Sequence, residues 1–213
     1  MSMPSLDDLQ VAGHVVIVRV DFNVPLADDG AGGRVITDTG RIHAALPTID
    51  YLREHRARIL LLAHLGRPKG VVTPEASLEP VAQELSRVLS IDVPLAADLA
   101  QARDELNRAS DGGVVVLENI RFDARETSKD PAERAALARE LADLGDFFVS
   151  DGFGVVHREQ ASVTELAAFL PHAAGRLVER ESAVFSQLLA QPQRPYVVIL
   201  GGSKVSDKLG VIG

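Results

Sequence analysis

Residues 14–22 read HVVIVRVDF, and this stretch decides the fold class. A nearly unbroken run of β-branched residues favours a strand that is covered on both faces, as in a parallel sheet. Similar apolar runs follow at Arg58–His64, Gly113–Ile120, Asp146–Phe153 and Tyr196–Gly201, with a weaker one near Ile91–Leu95. The sequence therefore predicts a mostly parallel sheet whose first strand lies near the start of the chain.

Helical patterns occupy the intervals between these runs, at Thr39–His55, Ser77–Leu89, Asp130–Leu144 and Leu177–Ala190. Ser77 is the expected cap of the second helix. Asp130, Pro131 and Glu133 together predict the start of the third, in a pattern like a capping box. Strands that alternate with helices predict right-handed βαβ units, and so a doubly wound, Rossmann-like α/β sheet with helices on both faces.

Composition narrows the class of protein. The 213 residues suit one large α/β domain, or one domain with the start of a second. The absence of cysteine excludes disulfides and thiolate sites. The chain has neither a leader-like start nor an apolar run of about 18 residues, so we expect a cytoplasmic protein with no membrane segment. A net charge of −8 argues against nucleic acid as the main partner.

Polar side chains follow the predicted strands, where doubly wound folds bind their ligands. They are Asp21, Asn23, His64, Arg67, Arg121 and Arg158, with Arg41 at the start of the first helix. Any one of these arginines could be a surface ion-pair partner, and Asp21 and Asn23 could be a turn signal. Several arginines at separate strand ends instead indicate a small polyanion, since guanidinium groups match phosphate and carboxylate oxygens. Asp21 and Asn23 could bind a hydroxyl group.

A second candidate site is the stretch GGSKVSDK at residues 201–208, directly after an apolar run. A helix that begins after such a glycine turn offers free N–H groups to phosphate, and Lys204 and Lys208 would share one face of that helix. The spacing is neither that of a P-loop nor GxGxxG. The pattern alone does not separate a phosphate loop from an ordinary strand–turn–helix.

Five motifs, RVDFNVP, HLGRPKG, LENIRF, SDGFGVVHR and LGGSKVSDK, occur in this order and resemble the phosphoglycerate kinase family. The likeness runs from about Val11 to the last residue. It implies a monomeric glycolytic enzyme that transfers a phosphoryl group reversibly between 1,3-bisphosphoglycerate and ADP, giving 3-phosphoglycerate and ATP with Mg²⁺. The family has two Rossmann-like domains, one for the glycerate and one for the nucleotide, which a hinge brings together.

The resemblance also implies roles for individual residues. The implied substrate-binding residues are Asp21, Asn23, Arg41, His64, Arg67, Arg121 and Arg158. Asp21 and Asn23 would face the hydroxyl end, and the other five would form a basic patch. The implied nucleotide-binding residues are Gly201, Gly202, Lys204 and Lys208. Arg41 and Lys204 would be catalytic, by stabilising the group in transfer, and no metal ligand is expected in this chain.

Two departures from the family pattern affect these expectations. Gly152 stands where alanine is usual. The chain also stops about halfway through the family's length, which predicts a glycerate-binding domain at 1–175, an interdomain helix at 176–192 and the start of a truncated nucleotide domain at 193–213. Such a fragment is expected to be inactive alone. It could self-associate through the strand predicted at Tyr196–Gly201, whose edge would lack a partner.

Three other interpretations compete. The chain could be a phosphoglycerate-binding module without catalysis. It could be a phosphatase of the haloacid dehalogenase type with Asp21 as nucleophile, although that motif needs a second acid where Asn23 stands. A dinucleotide oxidoreductase is disfavoured because no glycine fingerprint follows the first strand.

Overall fold

A computed structural model describes the protein at residues 4–28, 30, 33–190, 192–197 and 199. The chain divides into two compact units, Met1–Arg180 and Glu181–Gly213. The first unit contains both sheets and all the helices that pack on them. None of the helices described is long and apolar enough to cross a membrane.

The main sheet has six parallel strands, in the order β5-β6-β4-β1-β7-β8. The strands of the protein are β1 Val15–Arg19, β2 Leu26–Asp28, β3 Arg34–Ile36, β4 Arg58–Leu62, β5 Leu95–Ala96, β6 Val114–Leu117, β7 Phe147–Ser150 and β8 His172–Ala174. The first strand pairs with β4 on one side and with β7 on the other. The strands that follow β1 in the chain lie on both sides of it, with β4, β5 and β6 on one side and β7 and β8 on the other. The direction in which strands are added to the sheet therefore reverses at β1.

Four helices cover both faces of this sheet, and they are α1 Gly40–Glu54, α2 Glu79–Leu89, α3 Leu99–Arg108 and α4 Pro131–Ala142. A fifth helix, α5 Arg176–Ala190, begins in the first unit and continues into the second. One buried cluster joins α1 and α2 to Val16 and Val18 of β1. A second joins α3 and α4 to Val15 and Ile17 of the same strand. Alternate residues of β1 therefore enter opposite cores, and the predicted doubly wound α/β fold is confirmed.

Three elements escaped prediction because their sequences carry weak signals. The helix α3 is short and mostly polar, and only its Ala102 and Leu106 are buried. The edge strand β8 has three residues and no β-branched side chain. The hairpin of β2 and β3 flanks the glycine-rich turn at 28–33, where the sequence predicted only a surface turn.

The predicted cap of α2 is wrong, whereas that of α4 is confirmed without its capping box. The helix α2 begins at Glu79 with Leu78 in the capping position, and the Ser77 hydroxyl accepts from the Glu79 N–H at 3.2 Å from outside the helix. Asp130 does cap α4, since its carboxylate accepts from the Ala132 N–H at 2.9 Å. Its partner in a capping box was expected to be Glu133. That carboxylate instead accepts from the hydroxyl of Ser128.

The strand predicted at Tyr196–Gly201 is not found in the residues that can be assessed. Tyr196, Val197 and Ile199 lie in no strand and are exposed. The other residues of that run lie outside the described part of the chain.

The end of β7 fixes the first turn of α5. The buried Asp151 Oδ1 accepts from the Leu177 N–H at 2.9 Å, and the Thr48 hydroxyl accepts from the Arg176 N–H at 2.8 Å. Burial raises the pKa of Asp151 to about 6, although hydrogen bonds from the Thr48 hydroxyl and from the N–H groups of Leu177 and Val178 favour its ionised form. The strand end, α1 and the start of α5 are therefore joined by side chains as well as by packing.

Candidate functional site

The predicted site residues of the described chain follow four neighbouring strands at their carboxyl ends. Asp21 and Asn23 follow β1, His64 and Arg67 follow β4, Arg121 follows β6, and Arg158 follows β7. Because these strands are parallel and adjacent, their carboxyl ends lie at one edge of the sheet. Residues that are more than a hundred positions apart in the sequence therefore lie at the same edge of the sheet.

Arg41 reaches this edge from the first turn of α1. Its guanidinium forms an ion pair with the carboxylate of Asp21. Gly154, in the loop after β7, lies directly against this pair, and a β-carbon there would be 2.6 Å from the Asp21 Oδ2. The close approach explains why this position has no side chain.

The turn at Gly66 connects two more strand ends. The Asn23 Oδ1 accepts from the Gly66 N–H at 2.8 Å, and the Arg121 Nη1 donates to the Gly66 carbonyl at 2.7 Å. Gly66 has a φ of +63°, which favours glycine. Asn119 supports the same arrangement, because its side chain donates to the Leu65 carbonyl and accepts from the Arg121 N–H. These contacts hold Arg121 in place before any ligand binds.

Three of the arginines meet in one pocket of about 250 Å³. It is lined by Arg67, Lys69, Arg121, Thr127, Arg158 and Gln160. The Nε of Arg121 and the Oε1 of Gln160 are buried and have no hydrogen-bond partner within the described residues. Buried polar atoms normally have partners, so these two atoms are exceptions within the pocket lining.

Sequence reasoning missed half of this lining. Lys69 stood inside the motif HLGRPKG, where its charge was a usable signal. Thr127 and Gln160 carry no charge and follow no strand directly, so nothing in the sequence marked them.

Charge, and not volume, distinguishes this pocket. A larger hollow of about 500 Å³ near the amino-terminal ends of the strands is lined by charges of both signs, among them Arg53, Asp92, Glu105 and Asp111. In the smaller pocket, burial and the charges of Arg158 and Arg19 lower the pKa of Arg121 to about 10, and Arg67 acts in the same direction. The arginines repel one another, and a bound anion would relieve that repulsion.

His64 is a buried member of the predicted basic patch. It is 3% exposed. Burial, followed by the charge of Arg19 and those of three further arginines, lowers the pKa of this imidazole to about 2. His64 is therefore neutral at physiological pH, a charge state on which the sequence interpretation made no statement.

The second candidate site cannot be described. Gly201, Gly202, Lys204 and Lys208 lie outside the described residues. Within the described ranges, no group of three or more His, Asp or Glu side chains could hold a metal ion. The carboxylate of Asp21 is already paired with Arg41. The described residues therefore do not fit a site for Mg²⁺.

Comparisons with known proteins all match this chain to one family. The family model "Phosphoglycerate kinase" matches residues 6–213. The phosphoglycerate kinase of Bifidobacterium adolescentis is 58% identical over 213 residues, which cover 99% of this chain and 52% of that protein. That of Corynebacterium glutamicum is 54% identical over 220 residues, which cover 100% of this chain and 53% of that protein.

Solved structures agree with these matches. The structure of phosphoglycerate kinase from Coxiella burnetii has a TM-score of 0.83 at 37% identity, covering 99% of this chain and 51% of that one. Phosphoglycerate kinase from Pyrococcus horikoshii has a TM-score of 0.85 at 33% identity, with the same coverage. The chain spans about half the length of the curated relatives that it matches.

Proposed function

This chain belongs to the phosphoglycerate kinase family, and from that premise we propose that its sheet edge binds 3-phosphoglycerate and 1,3-bisphosphoglycerate. It would be the glycerate-binding part of an enzyme that transfers a phosphoryl group reversibly between 1,3-bisphosphoglycerate and ADP, in the glycolysis of the cytoplasm. One observation carries the proposal. Arg67, Arg121 and Arg158 meet in a single pocket beside the Asp21–Arg41 pair.

The chemistry of the edge matches the three polar groups of 3-phosphoglycerate. The pocket of Arg67, Arg121 and Arg158 suits the phosphate, because guanidinium groups bind phosphate oxygens in pairs. The remaining substrate-binding residues would serve the carboxylate and the hydroxyl. They are Asp21, Asn23, Arg41 and His64. Since Asp21 already neutralises Arg41, a substrate carboxylate would share or replace that ion pair.

Phosphoryl transfer asks little covalent work of the protein and depends on positioning and charge compensation. The carboxylate of 3-phosphoglycerate is itself the nucleophile, so no general base is needed. Arg41 would compensate the negative charge that spreads over the transferred group. Mg²⁺ bound with ATP or ADP would compensate the nucleotide phosphates, and the described residues do not include its site.

The domain assignment is part of the proposal. Residues 1–175 would form the glycerate domain, 176–192 the interdomain helix, and 193–213 the first part of the nucleotide domain. Gly201, Gly202, Lys204 and Lys208 would contact the nucleotide phosphates, with Lys204 reaching the transferred group. The full-length enzyme would act as a monomer.

We expect Arg67→Ala to weaken binding of 3-phosphoglycerate by at least about tenfold, because a hydrogen bond to a charged group contributes about 1.5–3 kcal/mol. Calorimetric titration at two salt concentrations measures this, and binding to the wild type should weaken as salt rises. Arg103→Ala is the control, since Arg103 is an exposed residue of α3 far from the pocket lining. Equal affinity in both variants, or no binding by a folded wild type, would contradict the proposal.

A further inference from the structure

Arg19 lies beneath the site with no exposed surface. Each side of its guanidinium has a partner. The Nε donates to the Ser162 hydroxyl at 2.8 Å, the Nη1 donates to the Val20 carbonyl, and the Nη2 lies 3.3 Å from the Nδ1 of His64. The side chain is therefore fixed in orientation and directed at one ring nitrogen of a proposed substrate-binding residue.

Ser162 and Glu126 fix Arg19 from the other side. The fully buried Glu126 carboxylate accepts from the Ser162 N–H at 2.9 Å and from its hydroxyl at 2.7 Å. The hydroxyl proton of Ser162 therefore points at Glu126, and its oxygen lone pair faces Arg19. Burial lowers the pKa of Arg19, but the nearby charge of Glu126 favours the charged guanidinium.

These contacts determine where the proton of His64 lies. A guanidinium group has donors and no acceptor, so Arg19 must donate to the His64 Nδ1. That nitrogen then carries no proton, and the neutral ring has its proton on Nε2. No described residue accepts a hydrogen bond from this Nε2 in the structure. Its N–H is thus available to a ligand at the sheet edge.

We propose that Glu126, Ser162 and Arg19 are positioning residues that hold His64 as the neutral tautomer with its proton on Nε2. His64 would then be a hydrogen-bond donor toward the bound anion and not a cation. The identity of the anion as 3-phosphoglycerate rests on the proposed function, whereas the tautomer of His64 does not depend on it.

Burial and the arginines around His64 act on its pKa in the same direction, while the carboxylates of Asp21 and Glu126 lie against those arginines. After burial, the charges that oppose a second proton on the ring are those of Arg19 in β1, Arg121 after β6, Arg158 after β7 and Arg41 in α1. The donor therefore stays unchanged over the pH range in which an ordinary histidine titrates. The arginines supply the positive charge of the site, while His64 supplies a hydrogen-bond donor of fixed orientation.

Nitrogen-15 NMR of the imidazole rings tests the tautomer directly. The chain has six histidines, and the signals of His64 are identified by their loss in His64→Gln. We expect His64 to show a protonated Nε2 and an unprotonated Nδ1, with no titration between pH 5 and 8. A proton on Nδ1, or titration near the ordinary pKa of histidine, would overturn the proposal even if every other variant failed to fold.

Ser162→Ala tests the positioning role. Loss of the hydroxyl should give His64 a mixture of tautomers and weaken binding of 3-phosphoglycerate by about twofold to tenfold, the range expected for one neutral hydrogen bond. Thr164→Ala is the control, because the Thr164 hydroxyl has only the Gln160 carbonyl and the Glu165 carboxylate as alternative acceptors for its one proton, and neither involves Arg19. An unchanged tautomer in a folded Ser162→Ala would overturn the positioning role. If His64 has the expected tautomer but the protein does not bind 3-phosphoglycerate, only the proposed function is contradicted.

Discussion

Replacing Arg19 by methionine is expected to lower the free energy of unfolding by about 3–5 kcal/mol, because removal of one partner leaves the other charge buried and uncompensated. The charge left behind is that of Glu126, which has no exposed surface and keeps only its hydrogen bonds from Ser162. Methionine conserves much of the volume, so the loss reports mainly the charge. Urea unfolding at neutral pH measures it.

Two further measurements separate charge from packing in this variant. Burial raises the pKa of Glu126, so protonation of this carboxyl is more favourable in the folded than in the unfolded protein. The free energy of unfolding of Arg19→Met should therefore recover as the pH falls. The double variant Arg19→Met with Glu126→Gln should regain part of the loss at neutral pH. Arg103→Met is the surface control. If Arg19→Met loses no more free energy of unfolding than the control Arg103→Met, the charges of Arg19 and Glu126 do not compensate each other.

Replacing Arg121 by methionine is expected to weaken binding of 3-phosphoglycerate by about 10- to 100-fold, since a hydrogen bond to a charged group contributes about 1.5–3 kcal/mol. Arg121 is 7% exposed, and its Nε has no partner in the part of the chain that the structure describes. It is already held by its bond to the Gly66 carbonyl, so little ordering is needed on binding. Calorimetric titration of folded variants gives the ratio.

The size of the effect should depend on geometry as well as on charge. Arg121→Lys keeps the positive charge but loses the planar fork, so we expect an affinity between those of the wild type and Arg121→Met. Arg103→Met again serves as the control. Wild-type affinity in Arg121→Met would mean that the pocket is not the phosphate site.

The fold and the edge that carries the site could be predicted because their signals are local. The run at 14–22 is apolar enough to require cover on both faces, and in parallel sheets the carboxyl ends of strands gather at one edge. The motifs at those ends were therefore sufficient to locate Arg67 and Arg121 together. A short and mostly polar helix such as α3 gave no comparable signal.

The layer beneath the site could not be predicted because it depends on distant parts of the chain. Arg19 and Ser162 are 143 positions apart and meet only in the folded protein. The charge state of His64 could not be predicted for the same reason. The pKa of His64 is set by burial and by four arginines from separate strand ends and α1, none of which is a neighbour in sequence. Spacing along a chain reports which residues reach an edge, but not which of them stay charged there.

The central claim, that this edge binds the glycerate substrate, is tested most directly by mapping backbone amide chemical shifts during titration with 3-phosphoglycerate. We expect the largest changes at Gly66, Arg121 and Gly154, with saturation at a single site. The same titration in Arg121→Met should leave these amides nearly unchanged. Changes centred on the opposite hollow, at Asp111 and Gly112, or no saturable change in a folded sample, would contradict the account.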